Sequence, residues 1–156
     1  MDFTEEALNL HRKLKGKIEI KSKHPVLTKE ILSLLYTPGV AAVSKEIAKQ
    51  KEKVYEYTSK WNTIAIVTDG SRVLGLGNIG PEAALPVMEG KSILFKLFGQ
   101  VDAFPICLST QNKDEIIDVI KNIAPSFGGI NLEDIDSPKC FEIVDELNGK
   151  LDMPVY

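Results

Sequence analysis

At Thr63 the spacing of apolar residues switches from helical to strand-like, and from there strands and helices alternate along the chain. Upstream, Thr4 is expected to cap a helix with Ala7, Leu8, Leu10 and Leu14 on one face, ending near Gly16. The basic stretch Lys15 to Lys23 reads as a solvated edge or arm. Thr28 opens a second helix through Ile31, Leu34 and Leu35, which Pro38 interrupts, and Val40, Val43, Ile47 and Ala48 mark a third. Downstream, Thr63-Ile64-Ala65-Ile66-Val67-Thr68 is a strand, and Asp69-Gly70 before Arg72-Val73-Leu74-Gly75 suggests a hairpin or tight strand pair.

Pro81 to about Leu97 reads as helix, with a break expected at Pro86 or Gly90. Ala103 to Ser109 is a short buried strand, and Asn112 with Glu115 forms a capping box for a helix striped by Ile116, Ile117, Ile120, Ile123 and Ala124. Ile130 to Ile135 is strand-like. Ser137 as cap and Pro138 in the first turn lead a helix through Phe141, Ile143, Val144 and Leu147, closed by Gly149. Met153 to Tyr156 looks like a strand beginning. The expected fold is α/β: a small, mostly parallel sheet flanked by helices, with residues 1–60 as an N-terminal helical section and 61–156 as the α/β part.

Composition narrows the function classes. A chain of 156 residues with 44% hydrophobic content can bury a core without a disulfide or metal staple. The net charge of −3 lacks the basic footprint of a duplex-binding domain, so nucleic acid is not an expected partner. No apolar run approaches the roughly 20 residues of a membrane span, and the start at Met1-Asp2-Phe3 lacks signal-peptide features, so a cytoplasmic location without membrane association is expected. Cys107 and Cys140 stand far apart, with neither a CxxC motif nor a histidine at ligand spacing, and read as reduced core residues.

Three segments bear chemistry. Gly75-Leu76-Gly77-Asn78-Ile79-Gly80 matches the dinucleotide fingerprint in letters. Its context differs, because it follows a two-strand unit and Asp102 precedes the next strand instead of closing it. The alternative is a loop that lets a small anion approach the backbone, with Arg72 and the helix start at Pro81 favouring negative charge. Glu133-Asp134, beside Asp136, could hold a hard cation through oxygen, or could simply be helix-dipole partners. Lys91, flanked by apolar sequence, is a candidate general base because burial favours a neutral amine, although many such lysines snorkel to the surface.

Tyr36-Thr37-Pro38-Gly39-Val40, then Val67-Thr68-Asp69-Gly70-Ser71-Arg72-Val73-Leu74-Gly75-Leu76-Gly77-Asn78-Ile79-Gly80, Glu89-Gly90-Lys91 and Leu132-Glu133-Asp134-Ile135 come in one order. In that order and spacing the chain resembles the N-terminal domain of malic enzymes of the short bacterial and archaeal type, from about Leu8 onward. The resemblance implies oxidative decarboxylation of (S)-malate to pyruvate and CO₂ with NAD or NADP and Mg²⁺ or Mn²⁺. Within it, Lys91 matches the base for the C2 hydroxyl and Tyr36 the acid that protonates C3. Arg72 matches the arginine that holds a substrate carboxylate, and Gly75 and Gly77 belong to the substrate loop. Glu133 and Asp134 match two of three metal carboxylates.

The family's third metal carboxylate and its nicotinamide-binding domain would follow Tyr156, so no cofactor-binding residue is expected in this chain and the isolated chain is expected to be inactive. A homodimer is implied. A malolactic enzyme, which yields lactate from the same architecture, and a non-catalytic dimerisation module are the competing readings.

Overall fold

The computed structural model describes residues 3–25 and 27–156. Met1 and Asp2, part of the start read above for signal-peptide features, lie outside the described residues. The chain divides into two compact units, one made of the stretch through Ile18 together with Asn62–Tyr156, the other of Glu19–Trp61.

The larger unit begins with α1 (Thr4–Leu14). Phe3, not Thr4, occupies its cap position, and no side chain caps it. The smaller unit holds α2 (Lys29–Leu35), α3 (Val40–Lys49) and the single turn α4 (Val54–Tyr57). The Thr28 side chain accepts from the Ile31 N–H, the expected cap, and α2 stops before Pro38. Among the described residues of this unit only Lys60 is buried.

The larger unit continues as β1 (Thr63–Thr68), α5 (Pro81–Gly99), β2 (Asp102–Cys107), α6 (Lys113–Ile123), β3 (Gly129–Leu132) and α7 (Lys139–Leu147). The three strands form a parallel sheet in the order β2-β1-β3, with Thr63 opposite Asp102 and Ile64 opposite Gly129. Alternation along β1 sends Ala65 and Val67 to one face and Ile66 to the other. Ala65, Val67 and Ile130 join Ile116, Ile117 and Ile120 of α6 and Ile143 and Leu147 of α7 in the main core. Helix α5 packs against β1 and β2 and buries Ala84, Met88 and Ser92.

Several expectations are corrected. Arg72–Gly75 is not a strand: Val73 makes only an isolated bridge to Gly77, and the segment is part of a loop after β1. The Gly70 carbonyl accepts from the Ile79 and Gly80 N–H groups, each at 3.2 Å, and so draws the two ends of the loop together. A Cβ on Gly70 would stand 2.2 Å from the Gly80 backbone, and its φ of 67° also favours glycine. Helix α5 runs unbroken through Pro86 and Gly90. β2 is an edge strand with Phe104 exposed, not a buried one, which is where Pro105 is tolerated. Pro138, not Ser137, precedes α7. Asn112 caps α6 as expected, accepting from the Asp114 and Glu115 N–H groups. Both cysteines are free and partly buried. The last residues form no strand but pair with β3 through an isolated parallel bridge of Val155 to Ile130, the Ile130 N–H donating to the Pro154 carbonyl and the Leu132 N–H to the Tyr156 carbonyl.

Candidate active site

In an open parallel sheet the carboxyl ends of the strands are where loops converge and ligands bind. Here β1 ends into the loop from Asp69 to Gly80, β2 ends before the segment that carries Gln111, and β3 ends at Glu133 and Asp134. The Glu133 N–H donates to the Val67 carbonyl, which extends the β1–β3 pairing by one residue and fixes the first carboxylate at the sheet edge.

Lys91, on α5, places its Nζ 3.0 Å from Glu133 Oε2, so two of the expected residues meet as an ion pair. Both are about two-thirds buried or more, at 36% and 25% side-chain exposure. Asp134 is tied to the glycine loop through its carbonyl, which accepts from the Arg72 N–H at 3.0 Å. Burial first, then the neighbouring Glu133 charge, pushes the Asp134 carboxyl above the usual carboxylate range. Its Oδ2 is buried without a hydrogen-bond partner. Leu74 and Asp134 both hold left-handed backbone, at φ 48° and 53°. For a leucine this costs about 1–2 kcal/mol, strain of the kind that collects at functional sites.

Gly75 and Gly77 have open space where a side chain would stand. Arg72 is exposed, and its guanidinium has no hydrogen bond or ion pair among the described residues. A cleft of about 460 Å³ borders the ion pair, lined by Lys91 and Glu133 together with His11, Lys17, Pro86 and Leu94. Lys17 closes one wall, donating from Nζ to the Pro86 carbonyl and from its backbone to Glu89 Oε2. Tyr36 lies in the Glu19–Trp61 unit, at the end of α2, with 72% of its surface exposed.

Sequence reasoning missed a buried polar cluster beneath the loop. Asp69 has no exposed surface, and Lys139 Nζ lies 2.6 Å from its Oδ2, 2.8 Å from Asp136 Oδ1 and 3.1 Å from the Gln111 carbonyl. The Ser71 N–H donates to Asp69 Oδ1, and Ser71 Oγ donates to Asp136 Oδ1. The signal available was Asp69, a carboxylate at the end of an apolar strand whose Asp-Gly pair also reads as a turn.

The carboxyl ends of the strands thus carry the Lys91–Glu133 ion pair, the buried Asp134 and the glycine loop that bears Arg72. The family described as "Malic enzyme, N-terminal domain" matches residues 15–115 and 110–148, and the chain belongs to that family. It is 55% identical over 156 residues to the bifunctional malic/malolactic enzyme of Bacillus subtilis, covering 100% of this chain and 38% of that protein. It is 60% identical over 141 residues to the NAD-dependent malic enzyme of Geobacillus stearothermophilus, covering 90% of this chain and 30% of that one. The crystal structure of the NAD-dependent malic enzyme of Thermotoga maritima superposes with a TM-score of 0.94 at 58% identity, over 96% of this chain and 40% of that one. The chain thus spans less than half the length of these relatives.

Proposed function

We propose that this chain forms the substrate- and metal-binding part of a malic enzyme that converts (S)-malate to pyruvate and CO₂ with NAD or NADP. The observation that carries the reading is the Lys91–Glu133 pair at the sheet edge, with Asp134 and the Arg72 loop joined beside it. Arg72 holds a malate carboxylate through its planar, permanently charged fork. Lys91, in its neutral form once Glu133 is engaged by the cation instead of the ion pair, takes the proton of the C2 hydroxyl as the alcohol is oxidised. After CO₂ leaves, Tyr36 gives its proton to C3 of the enolate. The nicotinamide would supply the oxidant when bound, held mainly by a domain outside these residues.

The donors present fit a divalent cation. The unpartnered Asp134 Oδ2 and the adjacent Glu133 carboxylate are hard oxygen ligands, although no group of three metal-binding side chains occurs among the described residues. Glu133 and Asp134 would hold Mg²⁺ or Mn²⁺, which supplies Lewis-acid polarisation of substrate oxygens when bound.

No helix among the described residues is long and apolar enough to cross a membrane. A cytoplasmic homodimer belongs to the same proposal, supported by the exposed Leu32, Leu34 and Leu35 of α2. The second reading, a malolactic activity, is favoured by the name of the Bacillus subtilis relative. Assaying pyruvate against lactate separates the two.

The test of the mechanism is Lys91→Ala in the whole protein. Malate oxidation is expected to fall by about 100-fold or more, while decarboxylation of added oxaloacetate, which needs no hydroxyl base, suffers less. Equal loss of both activities removes Lys91 from the base role.

A further inference from the structure

We propose that Lys139 and Gln111 are positioning residues that clamp the two ends of the Asp69–Gly80 loop and so fix where Arg72 stands. Neither touches the reacting groups. At the start of the loop, Lys139 binds the fully buried Asp69 carboxylate at 2.6 Å. Near its end, the Asn78 and Gln111 amides exchange two hydrogen bonds, each of 3.0 Å. Gln111 joins the two anchors: its Nε2 also donates to the Asp69 carbonyl at 3.3 Å, and its own carbonyl accepts from Lys139 at 3.1 Å.

Between these anchors lie the buried Val73 and the left-handed Leu74. With no partner of its own, the Arg72 side chain takes its origin from the backbone alone. Besides the direct bond from the Arg72 N–H to the Asp134 carbonyl, three elements therefore set one substrate contact: the loop after β1, the loop after β2 and the start of α7. A cation that neutralises a buried carboxylate while gripping two further acceptors holds position better than a solvated surface pair.

This inference rests on the reading of Arg72 as the substrate-carboxylate ligand. The experiment is steady-state malate oxidation by the whole protein with Gln111→Ala, Lys139→Met and Lys139→Arg. Gln111 is exposed, so its truncation leaves the fold intact and is expected to raise the KM for malate about fivefold with kcat within about twofold. Lys139→Met is expected to raise KM about tenfold or more, and Lys139→Arg to restore most of it. A purely structural role would lower the active fraction and the melting temperature while leaving KM unchanged, and that result overturns the proposal.

If Lys139→Met does not fold, Gln111→Ala decides alone. If the parent protein does not oxidise malate, the functional reading fails, and the clamp is judged by amide exchange at Ile79 and Gly80 in the 156-residue chain. Faster exchange in Gln111→Ala supports it, and unchanged exchange overturns it.

Discussion

Asp69 has no exposed surface and Lys139 is 16% exposed, so the pair between them is not the weak surface kind. Removing the ammonium leaves a buried carboxylate uncompensated, at a cost of about 3–5 kcal/mol. Burial pulls the Lys139 pKa down, and the Asp136 and Asp69 carboxylates more than offset it, so the group stands above the ordinary lysine range. A raised folded-state value means that this contribution is complete below the unfolded-state lysine value, about 10.4, and is lost as pH rises through the folded one. Wild-type stability should therefore decline on the alkaline side with a steeper slope than that of Lys139→Met, which starts lower and flatter. Urea midpoints from pH 8 to 11 read the difference, and the Tyr156 hydroxyl, raised by burial and Glu133, is common to both proteins.

What was legible at this scale followed from chemistry that neighbours in sequence already display. Glu133 and Asp134 are adjacent, and Lys91 sits in an apolar run, so candidate roles could be named. The Asp69–Lys139 pair could not be found in this way, because its members are brought together by the return of the chain from β3 to α7, which local pattern does not encode.

The loop between β1 and α5 works as one element hinged at Gly70. Its carbonyl receives both terminal N–H groups, and the Gly80 backbone occupies the space a methyl would need. Gly70→Ala is expected to cost more than about 2 kcal/mol, combining positive-φ strain with a clash. Gly75→Ala meets nothing within 4 Å and is expected to stay within about 0.5 kcal/mol of wild type. Chemical denaturation of the two variants checks the contrast. The same glycine, Gly70, explains why the hairpin expectation failed: Asp-Gly favours a turn locally, whereas hydrogen bonds across ten residues close a wide loop. Strand β1, with its unbroken apolar run from Ile64 to Val67, and the caps at Thr28 and Asn112 were legible because each is decided within a few neighbours. Pro86 misled for the opposite reason, since packing of α5 on the sheet overrides the local penalty of a proline.

At the scale of the whole molecule, recognition of the family needed only four short segments, whereas the grouping of the first 18 residues with the α/β part needed tertiary contacts. The Glu19–Trp61 unit buries no apolar side chain among its described residues, although α2 exposes Leu32, Leu34 and Leu35. Such a surface calls for cover by another surface. Together with the share of the relatives' length that the chain spans, this predicts that the purified 156-residue chain with malate, Mn²⁺ and either NAD or NADP gives no detectable reduction of the nucleotide. Measurable turnover at 340 nm would show that the site is complete within these residues.

The parallel order β2-β1-β3 also bears on how the site comes into being. β1 must find partners roughly 40 and 65 positions away, and each pairing spends chain entropy before any contact repays it. The nearer pairing can form with α5 as a single β-α-β unit, whereas β3, which carries Glu133 to the edge, must close the longer loop. On loop-closure entropy alone, Lys91 is expected to be in place before its carboxylate partner, so the Lys91–Glu133 pair is expected to form only when β3 docks.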